Sequence, residues 1–394
     1  TTWLKGQVEA IVEKARVYSP EKAAPVIVTS LTRTAAAEVA GRKVPLPKTA
    51  VATLHSFAFR ALGCPTIAES VIEDWNKDNP DLRVTDEDEP DVDEPAWDQA
   101  CKSSAGDDYL AQYHLLRAKC VPRDHWPASV QEFVRRFEDW KQGNDCMDFT
   151  DLIEIAGRDV DVAPHDPDVI LADEAQDHSA LEFNLLRRWG ATAGALIVAG
   201  DPYQALYTWR GADPDVFLDP SIPMDHRRIL TQSYRVPKKV MTAATKWIRQ
   251  LSTYQPFEYK AKKDAEGEIG YCQASWKRPD KIADFAEKVL GSGKTVMILG
   301  ACSYMVDSIV RVLRARGIPF ANPWRTHRGD WNPLSTSGTS MARRLANLML
   351  ADFGSHPEDA RMWTYEEFAQ WVDVLKAKGV LQHGKKEQLW KLAE

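Results

Sequence analysis

Cysteine is sparse in this sequence and falls into no pattern. The six cysteines (Cys64, Cys101, Cys120, Cys146, Cys272 and Cys302) include no Cys-x-x-Cys pair, which argues against a zinc site and a disulfide framework and fits a reducing cytoplasm. Long apolar runs are also missing. Nothing approaches the ~20 residues that a bilayer-spanning helix needs, and no charged-then-apolar leader opens the chain. The expectation is a soluble, cytoplasmic protein with no membrane partner. An overall basic charge is absent as well, the formal net charge being -7. A polyanion would therefore have to be met by a local patch, because fields act by patch rather than by total. The acids Asp86, Glu87, Asp88, Glu89, Asp91, Asp93 and Glu94 crowd one proline-punctuated segment, which reads as a solvated surface loop. No internal repeat is visible by eye.

What is present is apolar material enough for a large core. With 394 residues and 44% hydrophobic content, two or three domains are expected. The chain begins Thr1-Thr2-Trp3-Leu4, and Leu4, Val8, Ile11, Val12 and Ala15 recur at helical spacing, so it starts at or just inside a helix. Pro25-Val26-Ile27-Val28 predicts a strand, followed by the polar turn Thr29 to Thr34 and a helix-forming Ala35 to Val39. Ala50 to Leu54 predicts a short strand entering His55-Ser56-Phe57. Residues from about Cys64 to Gly143 change character and read as a mostly helical insertion. Strand and helix patterns then resume and alternate, the mark of an α/β fold with a parallel sheet whose ligands bind beyond the carboxyl ends of the strands.

The most informative stretch runs from Val169 to Arg235. Val169-Ile170-Leu171-Ala172 breaks into Asp173-Glu174-Ala175-Gln176-Asp177, and Ala195 to Ala199 runs into Gly200-Asp201-Pro202-Tyr203-Gln204. Each reads as a buried strand with a polar carboxyl end. A third apolar run, Arg228-Ile229-Leu230, is expected to behave similarly before Gln232-Ser233-Tyr234-Arg235. A carboxylate at such an end can hold Mg²⁺ through water, and an adjacent glutamate can activate a water that attacks a γ-phosphate. Asp173 and Glu174 fit those roles, although a bare Asp-Glu is more often a solvated pair. Gln204 could sense a terminal phosphate or simply shape a turn. Arg235 could place a cation on developing charge or pair with an acid. Tyr207 and Trp209 could stack on unpaired bases, while alone either aromatic is more often core.

Gly291-Ser292-Gly293-Lys294-Thr295 imitates the end of a phosphate-binding loop. The full pattern wants a glycine where Lys288 stands, and wants a strand before and a helix after. Here the predicted order is helix then strand, so no free N–H groups of a helix start would meet a phosphate. A helix-to-strand turn is the better reading.

Taken together, these segments resemble the UvrD/Rep family of superfamily-one DNA helicases. Asp173 to Asp177 is similar to the family's Walker B motif, Gly200 to Asp213 to its third motif, and Gln232 to Arg235 to its fourth. Ser30 to Glu38 and Thr53 to Ala58 resemble two early DNA-contacting motifs, and Asp148-Phe149-Thr150-Asp151-Leu152 resembles a further family element. The resemblance implies RecA-like P-loop motor lobes with parallel sheets and helical insertions, using ATP and Mg²⁺. It implies that Asp173 ligates Mg²⁺, Glu174 activates water, Gln204 and Arg235 contact the γ-phosphate and Tyr234 stacks on adenine. It also implies that Trp209 and Arg210 engage single-stranded DNA, with Ser30, Thr32, Thr53, His55 and Tyr207 nearby, and that movement runs 3′ to 5′ toward duplex junctions.

The implied layout is residues 1–63 and 144–235 for the first lobe and 64–143 for its insertion. The second lobe would start over 236–328, and a second insertion over 329–394. The family's phosphate-binding loop, ending Gly-Lys-Thr, is expected just before the first helix. Thr1 would then be its hydroxyl residue and a ligand of Mg²⁺ and nucleotide, with the glycines and lysine not among the 394 residues. Nothing after Trp324 matches the fifth and sixth motifs, and Leu31 stands where the family often has an aromatic. The expectation is an incomplete chain, inactive alone, from an ATP-dependent helicase. A non-catalytic strand-binding or partner-docking module, or the helicase part of a helicase-nuclease, are the alternatives.

Overall fold

The computed structural model describes residues 2–18, 24–30, 45–85, 104–217, 219, 221–252, 254–272, 274–316, 318 and 320–322. Helix α1 (Thr2–Tyr18) precedes strand β1 (Val26–Ser30) and strand β2 (Val51–Thr53), which runs straight into α2 (Leu54–Ala61). Strand β3 (Thr66–Ile67) opens a helical stretch of α3 (Ile72–Asp78), α4 (Ala105–Ala118) and α5 (Ala128–Gly143), and β4 (Cys146–Met147) closes it. Then follow α6 (Phe149–Asp159), β5 (Val169–Asp173), α7 (Ala180–Thr192), β6 (Ala195–Val198) and α8 (Lys238–Ile248). The described residues up to 269 form one compact unit, and those from 270 onward form a second, containing α9 (Pro279–Leu290) and α10 (Ser303–Ala315).

The main sheet has the order β2-β1-β5-β6, and every pairing in it is parallel. All five residues of β1 are buried, the apolar Val26 to Val28 and the polar Thr29 and Ser30 alike, as expected for a strand covered on both faces that shows no inside–outside alternation. One face packs Ile27, Ala52, Ile170 and Ala172 against Phe57, Leu152, Ile153, Phe183, Leu186 and Trp189 of α2, α6 and α7. The other packs Val26, Val28, Val51 and Leu171 against Val8 and Val12 of α1. Register brings Ser30 level with both Thr53 and Asp173, so three strand ends meet at one edge of the sheet.

The helical stretch has a core of its own, built from Trp75, Tyr113, Trp126, Phe133, Phe137 and Trp140. Trp75 stands edge-on to Phe133, Phe137 and Trp140 at 5.2–5.8 Å, a preferred geometry for aromatic quadrupoles. A two-residue parallel ladder, Thr66 with Cys146 and Ile67 with Met147, pins its ends together.

Two strand expectations fail. Arg228 to Leu230 forms no strand: Ile229 and Leu230 are exposed, and the segment pairs only through an isolated Gln232–Lys260 bridge. An apolar run of two residues between arginines and polar groups is too short to bury itself. In the second unit, Val296 to Gly300 forms no ladder among the described residues, and Met297 and Leu299 are exposed. The phosphate-loop imitation is a helix end, as its order predicts. Gly291 caps α9, Gly293 takes the left-handed φ of +75° that glycine tolerates, and no helix starts before Ser303. The acidic segment Asp86 to Glu94 and the region expected to hold the second insertion lie outside the described residues.

Candidate functional site

Strand β5 delivers Asp173, nearly buried, to the edge where the sheet ends. Glu174 leaves the strand with φ +54° and ψ 41°, a left-handed conformation that non-glycine residues seldom adopt and that concentrates at functional sites. The bend is held from both sides, since Ala199 N–H donates to Ala172 O at 2.8 Å and Ala175 N–H donates to Ala199 O at 2.9 Å.

Gln176, buried beside this bend, was not singled out from sequence and is the hub of the site. Its Nε2 donates to Glu174 Oε2 at 2.9 Å and to Asp177 Oδ2 at 3.3 Å. Its Oε1 accepts the Asp201 N–H at 3.0 Å. Asp201 in turn accepts from Tyr203 N–H at 3.0 Å and from Gln204 Nε2 at 2.7 Å. A continuous hydrogen-bonded relay thus runs Glu174–Gln176–Asp201–Gln204 across the ends of β5 and β6. Gly200 is required there, because a Cβ at this position would collide with Gln176 Oε1. Asp177 accepts the Leu206 N–H at 3.2 Å, and burial pushes its carboxyl above the ordinary range.

The third-motif segment folds back over the same edge. Ala212 bridges Ser179, Asp213 N–H donates to His178 O at 3.1 Å, and Gly211 turns with φ +95° tight against Ala118 of α4. Trp209 is 71% exposed. The Arg210 guanidinium lies 5.9 Å from its ring and 6.0 Å from that of Tyr207, within cation–π range. Thr53 is buried and spends its hydroxyl as the N-cap of α2, accepting Ser56 N–H at 3.2 Å. His55, two residues on, is half-buried between Phe149, with which it makes a T-shaped ring pair, and Glu182. Ser30 is fully buried, and its hydroxyl, level with Asp173, has no hydrogen-bond partner among the described residues. Thr1 and Thr32 lie outside the described residues.

Tyr234 is 75% exposed, and the exposed Arg235 guanidinium makes no ion pair among the described residues. Their segment is tied to the Gln204 loop indirectly. Ser233 N–H donates to Lys260 O, and three residues earlier Phe257 stacks on Tyr203 at 5.9 Å, while the Tyr203 hydroxyl accepts Gln255 N–H at 2.7 Å. Asp173, Glu174 and Gln204 are thus brought together, and Arg235 is placed on a neighbouring segment without touching them. Among the described residues no group of three or more His, Cys, Asp or Glu could hold a metal alone. One strand-end carboxylate with water suits Mg²⁺, which keeps several waters and takes few protein ligands.

Parallel strands that end in this acid pair and polar relay define a RecA-like P-loop lobe. The chain belongs to the UvrD/REP helicase family: the UvrD/REP helicase N-terminal domain matches residues 1–222. It is 33% identical over 84 residues to a probable DNA helicase II homolog of Mycoplasma capricolum, covering 21% of this chain and 12% of that protein. It is 29% identical over 137 residues to the ATP-dependent DNA helicase PcrA of Bacillus subtilis (32% and 18%) and 30% identical over 125 residues to PcrA of Staphylococcus aureus (29% and 17%). The matched stretch thus spans less than a fifth of each of these relatives.

Proposed function

We propose that this protein is an ATP-dependent DNA helicase that couples ATP hydrolysis to movement along single-stranded DNA, 3′ to 5′, toward duplex junctions. The observation that carries the reading is the relay from Glu174 through Gln176 and Asp201 to Gln204, which joins a carboxylate pair on one strand end to a terminal amide on the next. ATP is the substrate, and Mg²⁺, when bound, neutralises charge on the transferred phosphate. Asp173 would hold that ion, with Thr1 as a further ligand. Glu174 would orient and deprotonate the attacking water, its carboxylate held by Gln176. Gln204 would read the γ-phosphate, Arg235 would meet the same charge when its segment closes on the site, and Tyr234 would stack on the adenine.

The strand would lie along Trp209, Arg210 and Tyr207, near Thr53, His55 and Thr32. Exposed rings interleaved with a guanidinium suit unpaired bases, because stacking tolerates any sequence. In this reading residues 1–63 and 144–235 make the first motor lobe, 64–143 its insertion, 236–328 the start of the second lobe and 329–394 the beginning of its insertion.

The test is ATP turnover by the full-length protein with and without single-stranded DNA. Stimulation by the strand is expected, and Glu174→Gln should lower turnover roughly 10²- to 10⁴-fold, the usual yield of general-base catalysis, while leaving nucleotide binding in place. A protein that binds the strand but never turns over ATP would instead be a strand-binding module.

A further inference from the structure

Glu182, the third residue of α7, sits where the hydrolytic and strand-contacting halves of the site meet. Its two oxygens have separate tasks. Oε2 completes the cap of α7, accepting Ser179 N–H at 2.7 Å and the Ser179 hydroxyl at 2.9 Å. Oε1 faces two imidazoles at once, His178 Nδ1 at 3.6 Å and His55 Nδ1 at 3.8 Å. His178 is fully buried, Glu182 is the group its Nδ1 faces, and its Nε2 has no hydrogen-bond partner among the described residues. Buried polar groups are almost always satisfied, so a buried imidazole that relies on one loosely held, shared carboxylate needs a reason.

The three residues come from different parts of the site. His55 belongs to the turn from β2 into α2, among the residues proposed to meet DNA. His178 directly follows Asp177 in the segment leaving the catalytic acids, and its carbonyl accepts the Asp213 N–H of the third-motif segment. With Oε2 locked in the cap, Oε1 cannot follow both rings. Whatever draws His55 toward an incoming phosphate changes what is left for His178, and His178 is bonded into both halves. The electrostatics agree. Burial pushes the Glu182 carboxyl up, but His178, His55 and the Ser179 N–H outweigh it and hold the group at about 2, so it is an anion. Burial lowers His55, with Glu182 opposing and His178 and Arg210 adding to the fall. His55 is therefore largely neutral at pH 7 and gains a proton as pH falls or as a second anion approaches.

We propose that Glu182 is a positioning residue that links His55 to His178, so that engagement of a DNA phosphate by His55 is transmitted to the hydrolytic acids. The inference rests on the helicase reading above. Its test uses the full-length protein, a single-stranded oligonucleotide and two variants. Glu182→Gln can still cap α7, since glutamine serves at this position, but it presents a neutral amide to both rings. It should keep unstimulated ATP turnover within about 2-fold and cut stimulation by the strand at least ~10-fold. It should also move the acid-side gain in strand affinity to lower pH, because His55 loses the anion that favours its charged form. Ser179→Ala removes the cap hydroxyl and leaves Oε1 in place, so it should lower thermal stability and keep both the stimulation and the pH profile. If Glu182→Gln matches the wild type in stimulation and pH profile, or behaves like Ser179→Ala, the residue is only a cap and the proposal is overturned. If the wild type shows no stimulation at all, the helicase reading itself falls, and this inference with it.

Discussion

At the scale of single residues, the site depends on groups that leave no slack. Gln176 is buried and uses its amide on both sides, and truncating it removes the partner of the half-buried Asp201 N–H and of the Glu174 carboxylate. Gln176→Ala is expected to cost about 1–3 kcal/mol, the penalty of an unsatisfied buried partner, and to lower ATP turnover by at least ~10-fold. Denaturant unfolding and steady-state kinetics check the two separately, and full activity would remove the relay from the argument. Trp209→Ala should weaken binding to a single-stranded oligonucleotide by ~1–3 kcal/mol with an unchanged salt slope, since stacking is lost and no phosphate contact is. Anisotropy titrations at several salt concentrations measure both, and an unaltered affinity would rule out stacking there. Residue types at strand ends were legible from sequence. The roles of Gln176 and His178 were not, because each depends on a partner that only the fold brings near; Glu182 left one trace, the Ser-x-x-Glu spacing of a capping box.

At the scale of elements, the helical stretch from α3 to α5 is riveted to the start of α6 by buried charge. Arg117 of α4 donates to Asp148, Asp151 and Glu154, and Lys141 of α5 reaches Asp148 and Asp151. Burial raises the Asp148 carboxyl, but Arg117, His114 and Lys141 more than offset this and hold it well below the usual range. Its folded pKa is depressed, so the stabilisation is complete above the ordinary value of about 4 and is lost as pH falls toward the folded one. Arg117→Ala, which leaves Asp148 buried with a single cation, should cost about 3–5 kcal/mol near neutral pH. Chemical denaturation at pH 7 tests this, and a loss under 1 kcal/mol would mean that water reaches the seam.

Glu69 behaves in the opposite sense: burial lifts its carboxyl to about 7. The folded state then holds the proton more tightly, and stability falls as pH rises from the ordinary value of about 4.3 toward 7. Glu69→Gln should therefore melt above the wild type at pH 8 and match it near pH 4. The helices of this stretch were readable from periodicity. Their attachment was not, because Arg117 and Asp148 lie 31 residues apart and nothing local pairs them.

At the scale of the whole molecule, the two compact units differ in how much they bury. Among the described residues the second holds a small cluster of Ala283, Ile309, Leu313 and Ile318, whereas the first has the sheet with apolar layers on both faces and a separate aromatic core. Amide hydrogens of α9 and α10 should exchange well before those of β1 and β5, since local stability follows buried contact. Equal protection measured by mass spectrometry would contradict that order. No described helix is long and apolar enough to cross a membrane.

Sequence alone determined the α/β class, the apolar strand starts, the polar strand ends and the false phosphate loop, because strand burial, capping and helix order are written in neighbouring residues. Tertiary structure alone decided that Arg228 to Leu230 is no strand, that Ser30 and Thr53 are buried rather than presented, and that one glutamine and one glutamate each serve two distant segments. Those outcomes depend on parallel pairing and packing between residues far apart in the chain, where the free energy of a contact is set by its surroundings and not by its letters.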